Sequence, residues 1–129
     1  MNITLGEVIS RADELKPNAF SKETKIGWIN TLEGKVQTSV WLLDHTECVR
    51  YSEDEDMSRP LLVAYPYDDV YVQWFCAQID FANGEYDLYA NTCTMFNKAW
   101  GEYVRWFAAV YSPAQGYDAA ALRPRKEEV

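Results

Sequence analysis

The chain has 129 residues, with 12 basic and 20 acidic side chains, so its formal net charge at pH 7 is −8. This length fits one domain with a real core, and the 48% apolar and 15% aromatic content excludes a disordered chain. The acidic balance argues against a nucleic-acid clamp and against a binder of anionic membranes, because both need clustered lysine and arginine.

The first half of the chain predicts two helices. Thr4 and Glu7 fit a capping box that opens a helix running to about Leu15. Ser21 is placed to cap a second helix, which we expect to extend to about Leu43. One face of this second helix carries apolar residues at three- and four-residue steps: Ile26, Ile29, Leu32, Val36, Val40 and Leu43.

Residues 44–66 interrupt the helical pattern. Two segments, 48–51 and 61–65, are short enough to be strands, so we predict a loop or a short β-hairpin insertion here. Its tip is an acidic run that we expect to be solvated: Glu53, Asp54, Glu55 and Asp56. The run does not fit a calcium-binding EF-hand loop, because Arg59 occupies the required glycine position.

A third helix is predicted from about residue 66 to Ala82, ended by Asn83 and Gly84. It is so apolar that we expect it at the centre of the bundle. Gln78 points away from its polar side, which predicts a buried hydrogen-bond partner or a neighbouring subunit. The polar residues that we expect to face solvent are Asp69, Gln73, Asp80 and Asn83.

The fourth helix, from Glu85 to about Tyr111, has the clearest periodicity. Its main apolar face follows alternating steps of three and four: Tyr86, Tyr89, Cys93, Phe96, Trp100, Tyr103, Phe107 and Val110. A second apolar stripe lies beside it: Leu88, Met95, Ala99 and Trp106. Since a chain this small cannot readily cover both faces, Leu88, Met95 and Trp106 are candidate subunit or partner contacts.

The chain is therefore interpreted as a mainly α protein, a small bundle of about four helices over residues 1–111. Residues 112–129 show no apolar period, and we expect a flexible C-terminal tail in which Tyr117 and Leu122 are candidate partner contacts. The three cysteines form no CxxC pair, and no export signal or membrane-spanning stretch is evident. We expect free thiols in a reducing cytoplasm and no membrane partner.

Sequence patterns for catalysis and metal binding are weak. The single histidine, His45, has no second histidine or CxxC pair to complete a metal site, so we expect no metal and no cofactor. Asp68, Asp69 and Asp80 could form an enzyme's paired carboxylates, but a helix start and a solvent stripe explain them more simply. We expect no enzymatic activity.

Four stretches share their order and spacing with a known family. They are Thr4-Leu-Gly-Glu-Val-Ile with Leu-Lys-Pro-Asn18; Ser21 with Lys25-Ile-Gly-Trp-Ile-Asn30; Pro66-Tyr-Asp-Asp-Val-Tyr71 with Ala77-Gln-Ile-Asp80; and Asn83-Gly-Glu-Tyr86 with Tyr89, Asn91 and Met95-Phe-Asn97. On these stretches, about residues 3–111, the chain resembles the small helical head–tail connector (adaptor) proteins of long-tailed bacteriophages and related prophages.

The resemblance implies a structural virion protein without enzymatic activity. Copies would form a ring, typically of twelve, at the virion neck after synthesis and assembly in the bacterial host cytoplasm. The ring would join the portal protein to a tail or stopper protein, and DNA would pass through its channel without specific binding. The resemblance also implies that the loop with the acidic run, Glu53 to Asp56, faces the channel or a neighbouring subunit.

Two other functions are open at this point. An acidic inhibitor or DNA mimic would occupy a nucleic-acid-handling partner, which requires carboxylates spaced like phosphates along one face. A small enzyme that uses Asp68, Asp69 and Asp80 ranks last.

Overall fold

Residues 2–110 are described by the computed structural model, which is mainly helical. The helices are α1 (Leu5–Leu15), α2 (Lys22–Lys35), α3 (Asp69–Ala82) and α4 (Tyr86–Val110), with a π-helical turn at Val36–Val40 and a 3₁₀ turn at His45–Glu47. No strand occurs among the described residues, and their one β-type contact is an isolated bridge between Thr4 and Pro60. The predicted small helical bundle is confirmed.

The first two helices begin where the sequence places them. The Thr4 hydroxyl accepts a hydrogen bond from the Glu7 amide at 3.2 Å, and the Glu7 carboxylate accepts one from the Thr4 amide at 2.9 Å. The Ser21 hydroxyl accepts a hydrogen bond from the Thr24 amide at 3.1 Å. Each cap satisfies backbone donors that the first helical turn leaves unpaired.

The end of α2 differs from the prediction. Regular α-helical bonding stops at Lys35, and in the following π-helical turn the Trp41 amide donates to the Val36 carbonyl at 3.0 Å. Leu42 then adopts φ 61°, the left-handed conformation in which many helices end. The wider turn brings Trp41 into the core, where its indole donates to the Tyr103 hydroxyl at 2.9 Å.

Helix α3 contacts α1, α2 and α4, and eight of its fourteen residues are buried. The predicted central position of this helix is confirmed. Asn83 follows its last turn, and Gly84 then takes φ 73°, which glycine adopts without strain. The largest fully buried apolar side chains come from all four helices and from the connection before α3: Leu5, Ile29, Leu32, Leu61, Tyr71, Phe75, Ile79 and Tyr103.

The expectation that Asp80 faces solvent is wrong. Its side chain is buried, pairs with Lys16 at 3.1 Å and accepts a hydrogen bond from the Thr92 hydroxyl at 3.1 Å. The end of α1 and the side of α4 therefore cover this part of α3. Of the predicted polar stripe, only Asp69 and Asn83 are fully exposed.

Residues 44–66 form a connection without a hairpin. The Val49 amide donates to Gln37 Oε1 at 2.8 Å, and Gln37 Nε2 donates to the Val49 carbonyl at 3.1 Å. Asn30 makes the same pair of bonds with the backbone of Tyr51, at 2.8 and 2.9 Å. Two side-chain amides, one from α2 and one from the π-helical turn after it, thus take the place of a partner strand, which is why the extended segment forms no sheet.

The contact between Gly6 and the connection gives a first testable prediction. A Cβ atom at Gly6 would lie 3.0 Å from the Met57 carbonyl oxygen, whereas one at Gly27 would meet nothing within 4 Å. We expect Gly6→Ala to lower the free energy of unfolding by about 1–3 kcal/mol, because the Met57 backbone must shift. Gly27→Ala, the control, should raise it by about 1 kcal/mol.

Urea unfolding of the two variants and the wild type measures both effects. Stabilisation by Gly6→Ala would contradict the docking of Met57 on α1.

Candidate functional site

The residues that the sequence analysis weighed as catalytic or metal-binding candidates do not come together. His45 is largely exposed, and its Nδ1 lies 3.1 Å from the Asp44 carboxylate. Asp69 and Asp80 are separated by about 16 Å along the axis of α3. Within residues 2–110, no group of three or more His, Cys, Asp or Glu side chains is placed to hold a metal ion.

A buried polar cluster surrounds the carboxyl group of Glu33. Oε1 accepts a hydrogen bond from the Tyr71 hydroxyl at 2.6 Å. Oε2 accepts one from the Tyr51 hydroxyl at 2.7 Å and one from the Leu62 amide at 3.0 Å. The Tyr71 hydroxyl in turn accepts a hydrogen bond from the Val63 amide at 2.7 Å. Glu33 therefore ties α2 to α3 and to both halves of the connection.

The electrostatics of this cluster are dominated by burial. Burial raises the pKa of Glu33 to about 7, and the hydrogen bonds from Tyr71, Tyr51 and the Leu62 amide lower it. Burial also raises the pKa of both tyrosines, so each stays a protonated hydrogen-bond donor. The cluster has the properties of a structural clamp.

Sequence reasoning did not single out Glu33. The signal that could have found it is the recurrence of Asn30, Glu33 and Gln37 at three- and four-residue steps beside the apolar stripe of α2. All three side chains hydrogen bond to the connection.

A groove of about 410 Å³ lies between α2 and residues 45–50, and we call it the basic groove. Gly27 and Gly34 leave its α2 side open, and Lys35, His45 and Arg50 are among its lining residues. No carboxylate of the described residues lines it. The Lys35 ammonium lies 5.4 Å from the centre of the Trp74 ring, within the range of a cation–π contact.

Two carboxylates of the predicted acidic run, those of Glu55 and Asp56, stabilise the backbone turn in which they lie by accepting hydrogen bonds. Glu55 accepts hydrogen bonds from the Ser52 amide at 3.0 Å and from the Arg59 guanidinium at 2.9 Å. Asp56 accepts one from the Ser58 amide at 2.8 Å. These bonds lower the pKa of both carboxyl groups, so both are ionised at neutral pH.

Glu53 and Asp54 have a different environment. Both are exposed, and neither forms an ion pair with another described residue. The pKa of Glu53 is raised because its carboxyl group shares a hydrogen bond with that of Glu23 and is repelled by the same charge. We call residues 52–58 the acidic turn. At its tip, the carboxylate of Glu53 lies close to those of Glu23 and Asp54.

The first half of α4 has no buried side chain. From residue 86 to residue 98 every side chain is exposed or half-buried, and Ala99 is the first buried residue of the helix. Tyr86 is 62% exposed, Leu88 45% and Met95 49%. This half of the helix therefore presents apolar surface that the described part of the chain leaves open.

The other predicted contact residues are placed differently. Trp106 is half-buried, and its ring stacks on Tyr67 with 5.0 Å between centroids. Gln78 is half-buried and makes no hydrogen bond to another described residue, so the predicted partner within the bundle is not found. Tyr117 and Leu122 lie outside the described residues.

Comparisons with protein-family models, with curated proteins and with solved structures found no significant match to the chain. None of the described helices is long and apolar enough to cross a membrane. The structure itself defines the class of protein: a small, mainly α bundle.

The Glu33 cluster predicts a pH dependence of stability. Because the pKa of Glu33 is about 7 in the folded chain and 4.5 as its ordinary value, the folded chain binds more protons between these limits. The free energy of unfolding should therefore fall as pH rises from about 5 to 7, by at most about 3 kcal/mol from this group.

Urea unfolding across this pH range tests the prediction. Glu33→Gln cannot ionise and should lose the slope, whereas Glu14→Gln, which changes an exposed carboxylate, should keep it. The same slope in Glu33→Gln and in the wild type would contradict the assignment.

Proposed function

We propose that the chain is a structural subunit of a phage or prophage head–tail connector. Copies form a ring, of about twelve by family resemblance, that joins the portal to a tail or stopper protein and lines the DNA channel. One observation carries the proposal: residues 86–98 of α4 have no buried side chain and yet present Leu88 and Met95.

This half of α4 packs on α3 on one side, through Thr92 with Asp80 and Phe96 with Trp74, and its remaining apolar surface is open to a partner. Isolated helices of about 12–15 residues are marginal in water, and most of their stability in proteins comes from packing an apolar face. Leu88 and Met95 lie two turns apart on one side of α4, so a neighbouring copy can cover both. In a ring, every copy gives one face to a neighbour and receives a different face from the other neighbour.

The charge of the chain suits a DNA channel. Each copy has a formal net charge of −8, and a ring of such copies surrounds the channel with negative potential. Because duplex phosphates are repelled by this potential, DNA passes without specific binding. By the same resemblance, the ring assembles in the bacterial host cytoplasm and resides in the virion neck, and Tyr117 and Leu122 are candidate subunit or partner contacts.

The alternative, an acidic inhibitor or DNA mimic, has less support. A mimic needs a row of free carboxylates spaced like phosphates. Here Glu55 and Asp56 accept hydrogen bonds from Ser52, Arg59 and Ser58, which leaves only Glu53 and Asp54 of the acidic run without such a bond to a neighbouring donor in the turn.

The proposal predicts assembly through α4. The wild-type chain at high concentration, or with purified portal, should form a ring or a ring on the portal in native mass spectrometry. Replacing Leu88 and Met95 together by serine should weaken this assembly at least about tenfold, because two apolar side chains lose their burial.

Leu15→Ser provides the matched control, since Leu15 is 64% exposed on α1, outside α4 and outside the basic groove. It should assemble like the wild type. A wild-type chain that stays monomeric at every concentration and does not bind the portal would overturn the proposed function, and tight inhibition of a DNA-binding enzyme would favour the mimic.

A further inference from the structure

The basic groove is unusual in a chain of this charge. The 129 residues hold 12 lysines and arginines against 20 carboxylates, yet Lys35 and Arg50 line one groove that no carboxylate of the described residues enters. Neither side chain forms an ion pair with a described residue. The open positions at Gly27 and Gly34 leave room for a segment from outside.

The acidic turn carries negative charges that no described cation neutralises. Glu23, Glu53 and Asp54 crowd together, and no described cation pairs with any of them. Like charges at close range repel, so a cation from another molecule would reduce the electrostatic repulsion between these carboxylates. The backbone of the turn is already held in place by its own Glu55 and Asp56, which means that the tip is preorganised for docking.

The acidic turn lies at the start of α2, whereas the basic groove runs along this helix from Gly27 to Lys35. Arg50, on the other side of the groove, comes three residues before Glu53 in the chain. The Lys22 ammonium at the start of α2 donates to the Glu55 carbonyl at 2.8 Å, so the acidic turn is fixed there. Lys35, in the groove, is the last residue of the helix, about 20 Å further along its axis. Opposite charges at separate places on one rigid unit favour contact between copies in a head-to-tail order.

We propose that the acidic turn of one copy docks in the basic groove of the next copy, with Glu53 and Asp54 facing Lys35 and Arg50. This inference rests on the proposed function, because it names a contact between neighbouring copies of the ring. It assigns the acidic turn to the neighbour, not to the channel, and it is separate from the apolar contact of α4.

Paired charge reversals test the contact. One variant combines Glu53→Lys with Asp54→Lys, and the other combines Lys35→Glu with Arg50→Glu. Each alone places like charges across the contact and should weaken self-association at least about tenfold. An equimolar mixture should restore wild-type assembly if the two variants alternate around the ring. The reversed turn of the first variant then faces the reversed groove of the second, and the native turn of the second faces the native groove of the first, so every contact joins opposite charges.

Controls with equal charge change lie elsewhere on the surface. Glu14→Lys with Asp69→Lys matches the first variant, and Arg11→Glu with Arg105→Glu matches the second; all four positions are exposed. Native mass spectrometry and sedimentation equilibrium measure the association, and circular dichroism checks the helix content of each variant. The controls should assemble like the wild type.

A second measurement does not depend on the folding of any variant. Zero-length coupling of amines to carboxyl groups, applied to a mixture of isotope-labelled and unlabelled wild-type chains, should join Lys35 of one copy to Glu53 or Asp54 of another. The absence of this cross-link in the assembled ring would overturn the inference.

The outcomes separate the two proposals. If the wild type forms no assembly alone or with the portal, the proposed function fails and this contact fails with it. If the ring forms but both reversed variants assemble normally, or the mixture does not restore assembly, the contact is wrong and the connector stands. A two-fold dimer rescued by the mixture would overturn the head-to-tail order.

Discussion

The position of the long connection between α2 and α3 depends on the carboxyl group of Glu33. It receives hydrogen bonds from Tyr71 on α3 and from Tyr51 and Leu62 in the connection. Each of these donors is desolvated by the fold, and a buried donor left without an acceptor costs about 1–3 kcal/mol. One side chain therefore joins two helices and both halves of the connection, residues 44–66, into a single unit.

This constraint links the fold to the proposed function. Because Asn30, Glu33 and Gln37 hold the connection against α2, the acidic turn and the basic groove are fixed relative to one another before any partner arrives. Preorganised surfaces lose little conformational entropy on docking. The first half of α4 adds apolar surface on another side of the bundle, so a copy carries both a charged and an apolar means of association.

Local signals in the sequence were sufficient for part of the fold. The capping residues Thr4 and Ser21 place two helix starts, and the apolar character of α3 places it at the centre. The errors concern contacts between distant residues. Glu33 and Tyr71 are 38 positions apart, and Asp80 is buried because Lys16 reaches it from α1. The periodicity of a single helix gives no information on contacts between distant residues. The predicted hairpin is absent for the same reason, because side chains of α2 and of the turn after it replace the partner strand. The exposure of Leu88 and Met95 follows from the periodicity of α4, whereas their role as contacts stays a prediction.

The most direct test of this account is native-state hydrogen exchange at single-residue resolution. Four amides of the connection donate to side-chain oxygens of the helices: Val49, Tyr51, Leu62 and Val63. If the connection is an integral part of the fold, these amides exchange about as slowly as the central amides of α3. Exchange at the rate of an open loop, while α3 remains protected, would contradict the account.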